Sequence, residues 1–467
     1  MGPCALILLS SLPCLAAEAP VPNKGDTAFM FISTTMVLLM TVPGLALFYG
    51  GMVRTKNMLS MLMQVFTITC LVAILWLTCG YSMAFTNGGA LNDYVGGFSK
   101  AFLAGVSPSS IAATFSNGVY IPEYVFIAFQ MTFACITPAL IVGAIAERMK
   151  FSAILLFVVL WVTLVYFPMA HMVWYWGGPD FLADAAKAGA DKLAEATADA
   201  GLLFKLGALD FAGGTVVHIN AGIAGMVACL LVGKRVGLGR EVMPPHSLTM
   251  TMIGAALLWF GWFGFNCGSN LEANGTAILA MLNTFAATAA AALSWILVEW
   301  LMKGKPSLLG LASGVVAGLV AVTPAAGFAG PMGSVVLGLL AGFVCFTFCT
   351  FVKNSFGYDD SLDVFGVHCV GGILGAIGTG ILVSPDLGGT GTADYTTKPG
   401  ELVAGAYDMA AQVIIQSKAV LITLLWSGGV SAILIVVIGL VLGLRHASDA
   451  EREGLDITDH GERAYNY

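Results

Sequence analysis

The chain has 467 residues, 58% of them hydrophobic and 10% charged, with a mean hydropathy of +0.87. Soluble domains carry about 25% charged residues, so this composition excludes a water-facing globular protein and points to a chain whose solvent is lipid. The formal net charge of −7 says little, because the placement of Lys and Arg sets membrane orientation and acidic residues weigh weakly; no nucleic-acid partner is expected.

Residues 1–19 have an apolar stretch at 5–12 and small residues at Ala16, Ala17 and Ala19, which reads as a cleaved signal peptide without the usual basic start. Runs without Asp, Glu, Lys or Arg then cover 27–53, 57–92, 124–146, 151–179, 211–233, 242–271, 273–298, 306–352, 364–385 and 419–444. A bilayer core needs about 20 apolar residues per helix, so nine of these runs hold one span each. The run 306–352 is too long for one span. Its middle reads Thr323-Pro324-Ala325-Ala326-Gly327 and then Gly330-Pro331, a turn composition. It therefore divides into two.

The expected fold is an all-α polytopic membrane protein with eleven transmembrane helices. A barrel would show short alternating strands instead. Residues 26–233 form a first five-helix half containing an outer loop at 180–209, and 242–384 a second five-helix half. An outer loop at 385–416, an eleventh helix at 417–445 and a tail at 446–467 follow. The first of these loops holds Ala183–Lys187 and Leu193–Ala196 stretches that favour a short surface helix. The tail is abruptly polar, with Glu451-Arg452-Glu453-Gly454-Leu455-Asp456 and His460-Gly461-Glu462. Such charge clusters are usually solvated.

With a cleaved signal the mature N-terminus is outside, and eleven spans leave the C-terminus in the cytoplasm. The positive-inside rule tests this independently. The cytoplasmic loops then carry Arg54, Lys56, Arg148, Lys150, Lys234, Arg235, Arg240, Lys303, Lys305 and Lys353, and the tail carries Arg445, Arg452 and Arg463. Lys24, Lys100, Lys187, Lys192, Lys205, Lys398 and Lys418 fall outside, and every arginine is inside. The cysteines beyond the signal segment all lie in expected spans and read as small apolar residues, with no disulfide framework or spaced zinc ligands.

An internal repeat organises the chain. Asp210 precedes His218 by the same interval as Asp360 precedes His368, Val217 and Val367 come just before the histidines, and Gly222-Ile223-x-Gly225 matches Gly372-Ile373-x-Gly375. These are the fifth and tenth spans, and an odd number of helices per half gives the halves opposite orientations. That is the inverted-repeat design of transporters, whose sites lie near the midplane where the halves meet. Two repeat-related histidines would converge there and could share one hydrogen bond, one ring donating and the other accepting. A lone intramembrane His is often only an interhelical donor. A metal site would need a third ligand, and none has evident spacing. Asp210 reads first as a helix cap, with an electrostatic pull on cations following from the same charge. Asp360 matches it at the inner end of its helix.

Phe129 and Phe133 share one face of the third span, Trp174 ends the fourth, and Trp262, Phe263 and Phe265 precede Ser269 on the sixth. Packing and a membrane-interface belt are the ordinary uses of such residues. A cation–π cup above an apolar plug is the functional one.

Several long strings then point to one family: Val42–Gly51, Ala128–Thr137, Ala170–Trp174, Asp210–Asn220, Gly261–Asn266, Lys305–Gly310, Asp363–His368 and Glu451–Asp456. In order and helix placement they resemble the ammonium transporter family (Amt/Mep/Rh), in its bacterial Amt branch. The resemblance implies a homotrimer of eleven-helix subunits in the cell membrane, each with its own pore, taking up ammonium or its analogue methylammonium as a nitrogen source without a cofactor or resident metal. It makes Trp174, Ser269 and Phe129 resemble an outer recruitment site, Phe133 and Phe265 a two-ring gate, and His218 and His368 a twin-histidine pair for hydrogen bonding and proton relay. Asp210 matches the family's required aspartate. The tail is similar to one that contacts PII-type signalling proteins. The long outer loops exceed the usual bacterial pattern. A sensor signalling through its tail and an intramembrane metalloenzyme are the competing readings.

Overall fold

The computed structural model describes residues 20–398 and 403–465, so the expected signal segment at 1–19 lies outside the described residues. Eleven helices among the described residues are long and apolar enough to cross a membrane: Lys24–Met52, Thr55–Phe85, Glu123–Ile145, Phe151–Trp174, Gly214–Val232, Leu248–Gly268, Gly275–Lys303, Leu308–Ala325, Pro331–Phe356, Phe365–Leu382 and Met409–Val441. They are called the first to eleventh spans below. The run 306–352 divides where its turn composition stands: a short turn follows Val322, and Pro331 opens the ninth span. A proline suits that position because the first helical N–H has no intrahelical partner in any case. The eighth span has 83% of its most apolar window buried, against 33% for the ninth and 39% for the eleventh. The eighth is thus enclosed by protein, while the other two present most of their surface outward.

Several features depart from the sequence reading. The first span is bent at Val42, whose backbone (φ −131°, ψ 104°) is not helical. Pro43 is the cause, since it offers no N–H and disfavours helical geometry in the residue before it. The fifth span starts at Gly214 rather than at Asp210, because the chain passes through Gly213 in a left-handed conformation (φ +105°). Both the fifth and tenth spans then open with a wide π turn, Gly214–Ile219 and Phe365–Cys369, before continuing as α-helix. His218 and His368 therefore sit in the opening turns, not two turns inside. The eleventh helix starts at Met409, eight residues ahead of the expected 417, with Asp408 capping Ala411 N at 2.7 Å. Its early polar residues are used: Gln412 donates to the Gly207 carbonyl at 2.9 Å, and Gln416 to those of Leu209 and Ala376 at 2.8 and 2.9 Å.

Two ends of the bundle differ in character. The end carrying the long loops, here the loop face, holds helices Pro179–Ala188, Ala190–Ala198 and Leu202–Lys205 where a single surface helix was expected. Two small antiparallel hairpins, Ile111–Ala113 with Tyr120–Pro122 and Ala393–Asp394 with Val403–Ala404, also lie in loops. The opposite end, the arginine face, is tied by a buried ionic knot. Glu147, 2% exposed, pairs with Arg54 at 2.8 Å and Arg235 at 3.2 Å, and Arg235 also pairs with Asp359 at 2.8 Å. Burial alone would raise the Glu147 carboxyl, but Arg235 and Arg54 outweigh it and hold it below the usual carboxylate range. Arg148 is 0% exposed and donates to the carbonyls of Gly233, Ala146, Ala144 and Asp359 and to Ser361 Oγ. The knot joins the two halves, and removing one partner of such a pair typically costs about 3–5 kcal/mol.

The tail is not a solvated strand of charge. It forms two short helices, Ser448–Glu453 and Leu455–His460, folded against the arginine face. Asp456, 2% exposed, accepts from Leu59 N and Ser60 N at 3.1 and 2.8 Å, so it caps the start of the second span. Leu455 is buried with its N–H on Asn57 Oδ1 at 2.9 Å. Arg445 pairs with Glu451 at 2.7 Å. Of the charges that suggested solvation, Asp456 instead satisfies orphan N–H groups at a helix start, while Arg452, Glu453, Glu462 and Arg463 are exposed.

Candidate functional site: a column of rings ending on two histidines

From the loop face inward, one column of rings runs into the bundle. Trp174, the last residue of the fourth span, is oriented by its Nε1–H on the Asp210 carbonyl at 3.1 Å. Phe133 stands edge-on to it, with ring centroids 5.9 Å apart and planes at 86°. Phe129, one turn earlier on the third span, is 4.9 Å from Phe133 between centroids. Phe265 of the sixth span stacks on Phe133 at 4.0 Å and 16°. Phe129, Phe133 and Phe265 are 0%, 1% and 0% exposed, so the two stacked rings close the column. Ser269 caps the sixth span with its hydroxyl on the Phe265 carbonyl at 2.9 Å. Beside it, a Cβ on Gly268 would come within 2.7 Å of the Phe129 ring, so only glycine lets that ring approach the end of the sixth span.

Below the stacked rings stand the histidines. Phe265 is 6.1 Å from the His218 ring, and Trp262 lies nearly flat on it at 5.3 Å and 18°. His218 Nδ1 and His368 Nδ1 are 3.3 Å apart, with both residues nearly fully buried at 1% and 4%. At that distance one nitrogen donates and the other accepts, so the pair shares a single proton on that edge. His218 Nε2 has no hydrogen-bond partner among the described residues. A narrow cavity at the pair is lined by His218, His368, Trp262, Val217, Leu258 and Val316, among other apolar side chains.

The repeat explains how two helices bring these rings together. A Cβ on Gly222 would lie 2.3 Å from Cys369 N, and one on Gly372 would lie 2.9 Å from Ile219 and 3.1 Å from the Gly214 carbonyl. The repeated glycines thus mark where the fifth and tenth spans cross in backbone contact, as small residues do between membrane helices. The π turns are held open by aspartates. Asp210 accepts from the backbone N–H of Gly213, Gly214 and Thr215 at 2.8, 2.6 and 2.8 Å, from Val216 N at 3.3 Å and from the Thr215 hydroxyl. Asp360 accepts from Val364 N and Phe365 N at 3.0 and 2.7 Å.

The structure therefore brings Trp174, Phe129, Phe133, Phe265, Ser269, His218, His368 and Asp210 to one axis. No group of His, Cys, Asp and Glu that could hold a metal ion occurs among the described residues. Two residues at the loop face were not singled out in the sequence. His171, one turn before Trp174, is buried between two backbone carbonyls. Trp176 sits between Phe115 and Phe204, and Tyr395 of the second long loop reaches it at 4.9 Å. Density of aromatic residues after the fourth span was the only available signal for Trp176.

Eleven apolar spans among the described residues, set around an axis of aromatic and imidazole rings, define an integral multi-pass membrane protein. The sequence model of the Ammonium Transporter Family matches residues 28–465, and the chain belongs to that family. It is 44% identical over 446 residues to an ammonium transporter of Bacillus subtilis (strain 168), covering 95% of this chain and 99% of that one. An ammonium transporter of Aquifex aeolicus (strain VF5) is also 44% identical, over 97% and 95% of the two chains. Among solved structures, Saccharomyces cerevisiae Mep2 superposes with a TM-score of 0.75 at 30% identity, over 91% of each chain. A structure described as a sensor Amt protein gives 0.79 at 26% identity, over 93% of this chain and 98% of the other.

Proposed function

We propose that the protein selectively conducts ammonium as ammonia plus a relayed proton. The observation that carries this reading is the unbroken ring column from Trp174 through Phe133 and Phe265 to the shared edge of His218 and His368. Ammonium and potassium are similar in size and charge, so a pore of fixed width cannot separate them. Ammonium alone can donate to the Ser269 hydroxyl, rest on the Trp174 and Phe129 faces and give up its proton. A bare ion behind the stacked rings would lose hydration worth several kcal/mol, whereas neutral ammonia would not. His218 and His368 then hydrogen-bond ammonia and pass the proton between Nδ1 atoms. Asp210 shapes the opening turn and biases the mouth toward cations.

The arginines collect on one face, which supports a cytoplasmic assignment for it. The N-terminus and long loops then lie outside, the C-terminus lies inside, and residues 1–19 act as the signal in a cell membrane protein. A homotrimer, with one pore per subunit, and a PII-type partner at the folded tail complete the proposal. A sensor reading is supported by the structure described as a sensor Amt protein, at 26% identity. Current through liposomes holding the purified protein, under an ammonium gradient, tests the proposal. Steady inward current that potassium does not carry is expected. A binding signal without any flux would favour the sensor.

A further inference from the structure

The loop after the second span turns its aromatic side chains outward and its charge inward. Phe98 and Phe102 are 68% and 80% exposed. Lys100, between them, pairs with the buried carboxylate of Glu123. Its ammonium also lies 5.8 Å from the centre of the Tyr81 ring, whose hydroxyl donates to the same carboxylate at 2.6 Å. Water would favour the reverse, with the amine outside and the rings covered. The backbone fixes this arrangement. Phe102 and Leu103 both have φ +55°, a left-handed conformation that bulky residues rarely adopt. Leu103 then packs on the core while Phe102 stands clear of it. Strain of this kind persists where the surrounding structure over-determines it.

The same stretch runs back down the second span. Gly96 N–H donates to the Met83 carbonyl at 2.7 Å, Lys100 N–H to Ser82 Oγ at 3.0 Å, and the turn Ala101–Leu103 packs against Trp76–Gly80. Gly96 permits the return, since a Cβ there would come within 2.5 Å of the Thr86 carbonyl oxygen and 2.7 Å of that of Ser82. The second span has 31 residues and is about 46 Å long, close to the thickness of a whole bilayer, about 40–45 Å with its headgroups. Its last turn then stands at headgroup level, and Trp76–Gly80 stand near the boundary between headgroups and acyl chains. Phe102 is carried to that depth. The outward stripe of the span is itself apolar, with Met63, Phe66 and Ile74 exposed. Backbone near hydrocarbon needs partners within the protein. Here the amides of Ala101, Leu103 and Ala104 donate to the carbonyls of Phe98, Lys100 and Ala101 at 3.1, 3.0 and 3.1 Å.

We propose that residues 96–104 form a lipid-seated foot, with Phe98 and Phe102 set among the lipids where headgroups meet acyl chains in the leaflet at the loop face. The partner surface is the bilayer itself. Depth beside the second span and the withdrawal of Lys100, the segment's one charged residue, both select lipid over water. Aromatic rings are the side chains that favour this zone. The foot also bears on the ring column. Lys100 holds Glu123, the first residue of the helix that carries Phe129 and Phe133, so the seat in lipid and the start of that helix are one packed unit.

The full-length wild type, in liposomes of phosphatidylcholine and phosphatidylglycerol, is irradiated with a phospholipid bearing a diazirine near the carbonyl end of its acyl chain. Adducts at Phe98 and Phe102 should exceed those on the exposed loop helix Ala190–Ala198 several-fold. Adducts on the second span with none at either ring would overturn the proposal. A spin label at Phe102→Cys, after subtraction of the labelled wild type because Cys70 is exposed, distinguishes the ways of failing. Relaxation by oxygen several-fold greater than by a water-soluble nickel chelate supports the seat in lipid. Relaxation chiefly by nickel, as at an exposed Asp191→Cys reference, would place the foot in water. Protection from both reagents would place it against a second copy of the chain. Either result contradicts the proposal, and Phe98→Cys takes the label if Phe102→Cys does not fold.

Discussion

The two crossing segments at the centre share a backbone and differ in chemistry. Each has an aspartate, a π turn and a histidine. Around the fifth span the surroundings are aromatic: His218 lies against Trp262 below the Phe133–Phe265 stack. Around the start of the tenth they are ionic, with Lys353 donating to the Asp360 carbonyl at 2.8 Å and pairing with Asp363 at 2.6 Å. The caps differ as well, since Asp210 receives four backbone N–H groups and a hydroxyl, and Asp360 two N–H groups. One repeated device thus stands among stacked rings on one side and beside an ion pair on the other. Symmetry supplies the crossing, and the flanking side chains supply direction.

The cap difference can be broken by substitution. Asp210→Ala should destabilise by about 3 kcal/mol or more, since several buried donors lose their acceptor at once and each orphan costs about 1–3 kcal/mol. Asp360→Ala should cost about half as much by the same count. Thermal unfolding of the purified protein in one lipid mixture compares them, and equal losses would remove the asymmetry.

The ionic side adds a pH signature. Burial pushes the Asp360 carboxyl up to about 6, with Lys353 and two backbone amides opposing and Asp363 assisting. A raised folded value means that the folded state binds the extra proton, so this group lowers stability as pH rises from about 4 to about 6, with no further change above. Asp360→Asn should flatten that interval in unfolding measurements while leaving the rest of the curve alone.

The tail is a weaker lever on the same face. Removing residues 447–467 takes the Asp456 cap from the second span, which should cost about 1 kcal/mol and leave the protein folded. The same truncation should abolish capture of a PII-type protein; undiminished capture would move that contact to the loops. At the aromatic side the smallest effect is expected. Trp174→Leu removes a ring face worth about 0.5–1 kcal/mol to a cation at a partly exposed site. Half-saturation for methylammonium uptake should rise about two- to fivefold, and no change would make Trp174 a belt residue.

Much of this was legible before any coordinates. Charge-free runs located the spans, since no other arrangement hides that much apolar chain, and the Asp-to-His interval located the crossing. The glycines that permit the crossing were visible as part of the repeat, although their reason was not. What escaped the sequence depends on backbone detail or distant partners. A π turn and an α turn share nearly the same apolar periodicity, so the shifted start at Gly214 left no trace. The tail looked solvated because its partners, Asn57, Leu59 and Ser60, lie nearly four hundred residues away along the chain. His171 looked like any span residue, because its partners are two carbonyls of another segment.

The most direct test of the account concerns the shared edge of His218 and His368. Potassium and ammonium currents are measured in the same liposomes for the wild type, His218→Leu and His368→Glu, with thermal stability of each purified protein as the control. If the pair relays protons, His218→Leu is stable and carries no ammonium current, while His368→Glu leaks potassium because a carboxylate offsets part of a bare ion's desolvation. Wild-type ammonium current in a stable His218→Leu protein would contradict the relay.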